Sequence, residues 1–157
     1  MKKKILFVCH GNICRSPMAE FVLKNLDETG AFDIASAAVS TEETGNDIYP
    51  PAQRKMQEKG IPFTRRAARQ MTKADYDYYD FIVCMDRSNL RWMRYILGFE
   101  PEVDAGAPER HKVSLMMHWA GEDRDVADPW YTGDFERAYK DIEKGCKGLL
   151  NKIMTAF

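Results

Sequence analysis

Ile5-Leu6-Phe7-Val8 is a continuous apolar run without polar alternation, which predicts a strand covered on both faces, and it stops at Cys9-His10-Gly11-Asn12. Ser16-Pro17 then reads as an N-cap and first helical residue. Glu20 is read as a first-turn acid, and Phe21, Val22 and Leu26 give the helix an apolar face before Gly30. Phe32 to Val39 predicts a second strand, and Pro50-Pro51 opens a helix through Met56 that ends at Gly60-Ile61-Pro62. Phe81 to Met85, bounded by Asp80 and Asp86, repeats the buried-strand pattern and leads into a helix from Ser88 to Leu97. Val113-Ser114-Leu115 suits a last short strand, and Phe135 to Met154 carries apolar residues near helical spacing.

Strands alternating with helices predict an α/β fold of three layers, a central four-stranded parallel sheet flanked by helices. The chain shows no internal repeat, low-complexity segment or linker, and Asp104 to His111 is its loosest stretch. Its 157 residues are therefore read as one domain. In such sheets ligands bind beyond the carboxyl ends of the strands, which is where Cys9 falls.

Composition narrows the setting. Apolar residues make up 45% and charged residues 30% of the chain, which fits a globular protein and not a disordered one. The 23 basic and 24 acidic residues leave a net charge of -1, giving no global attraction to nucleic acid or to an anionic membrane, so any anion site must be local. The apolar run after Lys2-Lys3-Lys4 is too short for a secretory leader or a membrane span, which points to the cytoplasm. Cys9, Cys14, Cys84 and Cys146 form no CxxC pair and are expected to rest as thiols there. His10, His111 and His118 make no zinc spacing with them.

Cys9 to Ser16 places a thiol and a guanidinium six residues apart, between a buried strand and the first turn of a helix. Loop N–H groups running into a helix N-terminus converge on an anion, and the helix dipole adds partial positive charge. Gly11 and Asn12 are residue types that tolerate positive φ. Arg15 can grip two phosphate oxygens with a planar fork. The same field stabilises a thiolate at Cys9, to which a Ser16 hydroxyl reaching back would donate. Attack on phosphorus then needs positioning and charge neutralisation, and neither a metal nor another cofactor.

The run Val8-Cys9-x-Gly11-Asn12-x-Cys14-Arg15-Ser16-Pro17 resembles the signature of the low-molecular-weight protein tyrosine phosphatases. The resemblance continues in family order through Ser36-Ala37-Ala38, Ala68-Arg69-Gln70, Cys84 to Leu90, and Asp128-Pro129-Trp130-Tyr131. It implies hydrolysis of phosphotyrosine in protein substrates through a cysteinyl phosphate, with Cys9 as nucleophile, Arg15 binding phosphate and Asp128 as general acid and then base. Asp-Pro alone is a common turn opener, so the role of Asp128 rests on the resemblance. Substrate contacts are expected from His10, Gly11, Asn12, Ile13, Cys14 and Ser16 around the phosphate. Trp130 and Tyr131 would form a wall for a flat ring.

The chain departs from that family in places. Glu42 and Glu43 stand where several relatives carry an aromatic and a polar residue, which makes the pocket rim acidic. Tyr49-Pro50-Pro51 replaces an Asp-x-Arg turn, and Arg66 stands at a common histidine position; both changes concern supporting structure. Cys14, five residues from Cys9 in one tight loop, is placed to form a protective disulfide on oxidation. Arginine phosphatases of this scaffold carry Thr where this chain has Ile13, which favours a tyrosine ester. Arsenate reductases need two further neighbouring cysteines, whereas here only Cys84 lies in that region. A catalytically silent phosphate-binding module is the reading from another class, and the joint presence of Cys9, Arg15 and Asp128 argues against it.

Overall fold

In the computed structural model, which describes residues 2–156, four parallel strands lie in the order β2-β1-β3-β4. They are β1 (Lys3–Cys9), β2 (Phe32–Ala38), β3 (Phe81–Cys84) and β4 (Val113–Leu115). The helices are α1 (Arg15–Leu26), α2 (Pro50–Glu58), α3 (Lys73–Tyr78), α4 (Arg87–Leu97), α5 (Pro129–Thr132) and α6 (Phe135–Ala156). Short 3₁₀ turns occupy Pro108–Arg110 and Met116–Ala120.

The apolar run of β1 is continuous because both faces of the strand are covered. Ile5, Phe7 and Cys9 face a core completed by Met18, Leu23, Met56, Ile142 and Leu149, while Leu6 and Val8 face Ile82, Leu90, Met93 and Leu97. Helix α6 approaches the Met116–Ala120 turn so closely that a Cβ on Gly148 would lie 2.0 Å from the Trp119 carbonyl oxygen. Glycine at that position allows the helix to close the first core.

The register pairs Cys9 with Ala38 on one side and Val8 with Cys84 on the other. The chain leaves β1 for β2 on one side and later returns to place β3 on the other, so the strand order reverses beside β1. A crevice opens at such a reversal beyond the strand ends.

Several sequence expectations change in detail. Helix α1 begins at Arg15 with Cys14 at the N-cap position, not at Ser16, and makes no side-chain cap hydrogen bond. Glu20 consequently lies beyond the first turn. Strand β2 ends at Ala38 and β3 at Cys84, each one residue early. Helix α3 was not visible as an apolar period because none of its residues is buried, and it is fixed by a capping box between Thr72 and Asp75. Asp128-Pro129 opens a one-turn helix rather than a plain turn, and Gly133 ends it with φ 72°.

Candidate active site

Cys9 ends β1 with its sulfur at the floor of a pocket. Sγ lies 3.0 Å from Ser16 Oγ, and the backbone N–H groups of Asn12 and Ser16 point at it from 3.3 and 3.5 Å. These contacts explain why Ser16 does not cap α1. Its hydroxyl is held at the sulfur and accepts from Asn12 Nδ2 at 2.7 Å. Helices α3 and α4 close their first N–H groups with capping boxes, whereas α1 begins without a side-chain cap. Its N-terminus thus keeps donors for a bound anion.

Asn12, rather than Gly11, carries the left-handed backbone, with φ 60°. Its side chain donates to Ser16 Oγ and to Ser36 Oγ, the latter at 3.0 Å, and accepts from Arg69 N at 3.3 Å. Ser36 in turn donates to Glu20 at 2.6 Å. Asn12 and Ser16 are fully buried, so their side chains brace the loop from beneath, outside the pocket lining. Gly11 serves a close approach instead: a Cβ there would sit 3.3 Å from Glu43 Cγ.

Arg15 is 2% exposed and anchored to three acceptors on two separate segments. Nη1 donates to Asp86 Oδ2 at 2.7 Å and to the Val126 carbonyl at 2.8 Å, and Nη2 meets Asp128 Oδ2 at 3.3 Å. Burial alone would lower the pKa of the guanidinium, but the facing groups Cys9, Asp86 and Asp128 outweigh it and hold the value above the ordinary one. Asp128 is fixed from its other oxygen as well, since Oδ1 accepts from Trp130 N at 3.1 Å. The candidate acid and the candidate phosphate-binding arginine therefore face one pocket, although 113 residues separate them.

The pocket is lined by Cys9, His10, Gly11, Ile13, Cys14, Arg15, Glu42, Glu43, Asp128, Trp130 and Tyr131. Trp130 leans on Tyr49 at 4.7 Å between ring centroids, and Tyr131 is 83% exposed. His10 Nε2 lies 2.8 Å from Glu42 Oε2, and Glu43 accepts from Asn46 at 2.6 Å. Cys14 is buried, and burial above all pushes its thiol pKa up, with Cys9 and Asp128 adding to the effect.

Arg66 donates from Nη2 to the Asn12 carbonyl and from Nη1 to the Asn46 carbonyl at 3.2 Å, so this departure from the family pattern grips the loop itself. The sequence left open whether Asp86 and Ser36 act as supports of the loop, and it did not single out Val126. Asp86 had one usable signal, its place directly beyond a buried strand. The Val126 carbonyl had none, because any residue type supplies one.

Residues 4–156 match the family model of the low molecular weight phosphotyrosine protein phosphatases. The chain is 36% identical over 154 residues to the low molecular weight protein-tyrosine-phosphatase YfkJ of Bacillus subtilis, covering 95% of this chain and 94% of that one. The crystal structure of YfkJ superposes with a TM-score of 0.88 over 99% of this chain and 97% of that one. The low molecular weight phosphotyrosine protein phosphatase of Gallus gallus is 38% identical over 157 residues, 96% of this chain and 95% of that one. A Drosophila arginine phosphatase structure matches with a TM-score of 0.81 at 28% identity, over 98% of each chain. With its thiol, arginine and aspartate gathered at the end of β1 and its whole length matched, the chain belongs to the low-molecular-weight phosphotyrosine protein phosphatase family.

Proposed function

We propose that this enzyme hydrolyses phosphotyrosine in proteins with Cys9 as nucleophile, Arg15 as the phosphate clamp and Asp128 as the proton donor and acceptor. The observation that carries the reading is the set of three polar groups around one sulfur, the Ser16 hydroxyl and the N–H groups of Asn12 and Ser16, facing the Arg15–Asp128 pair. Donors held in place stabilise a thiolate without reorganisation. Sulfur attacks phosphorus as the P–O bond to the phenol breaks, and the Asp128 carboxyl passes its proton to the departing oxygen. Water then attacks phosphorus, Asp128 takes its proton, and the S–P bond breaks to release phosphate and the Cys9 thiolate.

Among the described residues Arg15 donates to three acceptors. A guanidinium has five N–H donors, so Nε and one Nη2 hydrogen are left for an equatorial oxygen pair. The backbone of His10, Gly11, Asn12, Ile13, Cys14 and Ser16 would encircle the phosphate, with Trp130 and Tyr131 beside the ring. Ile13 lines the pocket with an apolar side chain, which suits an aryl ester better than a phosphorylated guanidinium. No described helix is long and apolar enough to cross a membrane. A reducing compartment such as the cytoplasm suits an enzyme that works through a free thiol.

The test is turnover of phosphotyrosine, phosphoserine and phosphoarginine peptides in EDTA by wild type, Cys9→Ser and Asp128→Ala. Phosphotyrosine turnover should vanish in Cys9→Ser and fall about a hundredfold or more in Asp128→Ala. Preference for phosphoarginine would overturn the substrate assignment, and an inert folded wild type would leave a phosphate-binding module.

A further inference from the structure

The pocket mouth continues onto the outer face of α4. The His10 ring, which lines the pocket, meets the Trp92 ring edge-on at 4.9 Å between centroids, and Trp92 meets Tyr95 at 6.4 Å. Leu90, Met93 and Leu97 turn the opposite face of this helix into the core. Trp92 is left 40% exposed and Tyr95 75% exposed. Ser88, Arg91, Trp92, Arg94 and Tyr95 together line one shallow hollow. Clustered exposed aromatics on a charged surface mark contact sites more often than chance.

Charge says what such a contact would be. The hollow has two arginines in its lining and no carboxylate. Arg91 and Arg94 stand three positions apart on the helix, a spacing at which like charges repel and an intervening anion is welcome. Arg94 is partly occupied, since it lies over the Tyr95 ring at 5.1 Å and donates to its hydroxyl at 3.2 Å. Arg91 is exposed. The pocket rim has the other sign, with Glu42 and Glu43 in its lining.

We propose that the α4 hollow receives the polypeptide flanking the phosphotyrosine of a protein substrate, seating an acidic side chain against Arg91 with an apolar neighbour on Trp92. This rests on the tyrosine-phosphatase reading above. A polypeptide whose phosphate sits over Cys9 must leave the pocket across its rim, and His10 is the rim residue that joins the rings of α4. An extended chain advances about 3.3 Å per residue, so the row from His10 through Trp92 to Tyr95 places the acidic residue about two to four positions from the phosphotyrosine. The acidic mouth disfavours an acid directly beside it.

The experiment compares kcat/KM for phosphotyrosine peptides carrying Glu or Lys two to four positions away on either side, with p-nitrophenyl phosphate as the control, for wild type, Arg91→Glu and Trp92→Ala. Wild type should favour the Glu peptide on one side by about fivefold or more at low salt, fading as salt rises. Arg91→Glu should invert that preference, Trp92→Ala should lower peptide turnover about tenfold, and both should hydrolyse the aryl phosphate within about twofold of wild type. Variants that treat all peptides as wild type does, while phosphotyrosine is still turned over, would overturn this proposal alone. Self-association that Trp92→Ala abolishes, with unchanged peptide kinetics, would also overturn it by making the face a contact between copies. Absence of any phosphotyrosine or aryl phosphate turnover would overturn the underlying enzymatic reading.

Discussion

Asp86 accepts a 2.7 Å hydrogen bond from Arg15 across 71 residues of chain, and the same carboxylate caps α4 by accepting from Asn89 N at 2.8 Å. One side chain thus ties the start of a helix to the orientation of the guanidinium proposed to clamp phosphate.

The two duties can be separated by substitution. Asp86→Asn keeps a good N-cap and replaces one of the two carboxylates facing the buried Arg15 with a neutral amide, so any fall in melting temperature reports the lost ion pair and not the cap. The kcat/KM for an aryl phosphate should fall about tenfold or more, with weaker inhibition by inorganic phosphate. Asp86→Ala should add a stability loss of about 1 kcal/mol from the missing cap, read by urea unfolding.

Arg66 holds the carbonyl of Asn12, the residue with φ 60°. In a trans peptide the carbonyl and the following N–H point in opposite directions, so gripping the Asn12 oxygen from outside turns the Ile13 N–H inward. Arg66→Ala should lower kcat/KM for an aryl phosphate and raise the inhibition constant of phosphate or vanadate. Arg66→Lys should recover part of both, because a cationic donor remains within reach. Equal phosphate inhibition in wild type and Arg66→Ala would sink the argument.

Gly148 meets the Trp119 carbonyl oxygen so closely that alanine requires α6 to shift. Gly148→Ala should destabilise the fold by about 1–3 kcal/mol or more despite the better helix propensity of alanine, and the urea midpoint should fall. Glycine to alanine at an uncrowded helix position would stabilise instead, so the sign of the change is the test.

Glu136 on α6 lies 3.0 Å from both Lys55 and Lys59, and their hydrogen bonds lower its pKa to about 2. A depressed carboxylate pKa means that the unfolded chain binds the proton more readily. The stability this group contributes is therefore present above the ordinary glutamate value and is lost as the pH falls through about 2. Glu136→Gln should lower the melting temperature slightly at pH 7 and bring it level with wild type near pH 2. A gap that widens on acidification would contradict the pairing.

The elements with the most buried surface were legible in the sequence. Ile5-Leu6-Phe7-Val8 and Phe81-Ile82-Val83-Cys84 read as strands because covering both faces leaves no polar alternation, and the alternation with helices gave a parallel sheet. The local chemistry of Cys9 to Ser16 was equally visible, because thiol, guanidinium and helix start share eight residues. Of the residues that start α1 and α4, only Ser16 reads as a cap from the sequence, and Asp86 only as the boundary of a strand. Asp86 caps α4 through its side chain, whereas the Ser16 hydroxyl, which could either cap α1 or reach back to Cys9, is held at Cys9 Sγ and Asn12 and leaves α1 without a side-chain cap. Tertiary structure alone decided which acids meet Arg15, that Arg66 holds the loop from behind, and that His10 touches Trp92. The physical reason is range: periodicity and turn chemistry act over a few residues, while each of these contacts joins segments more than 50 residues apart and exists only once the sheet has fixed where its strands end.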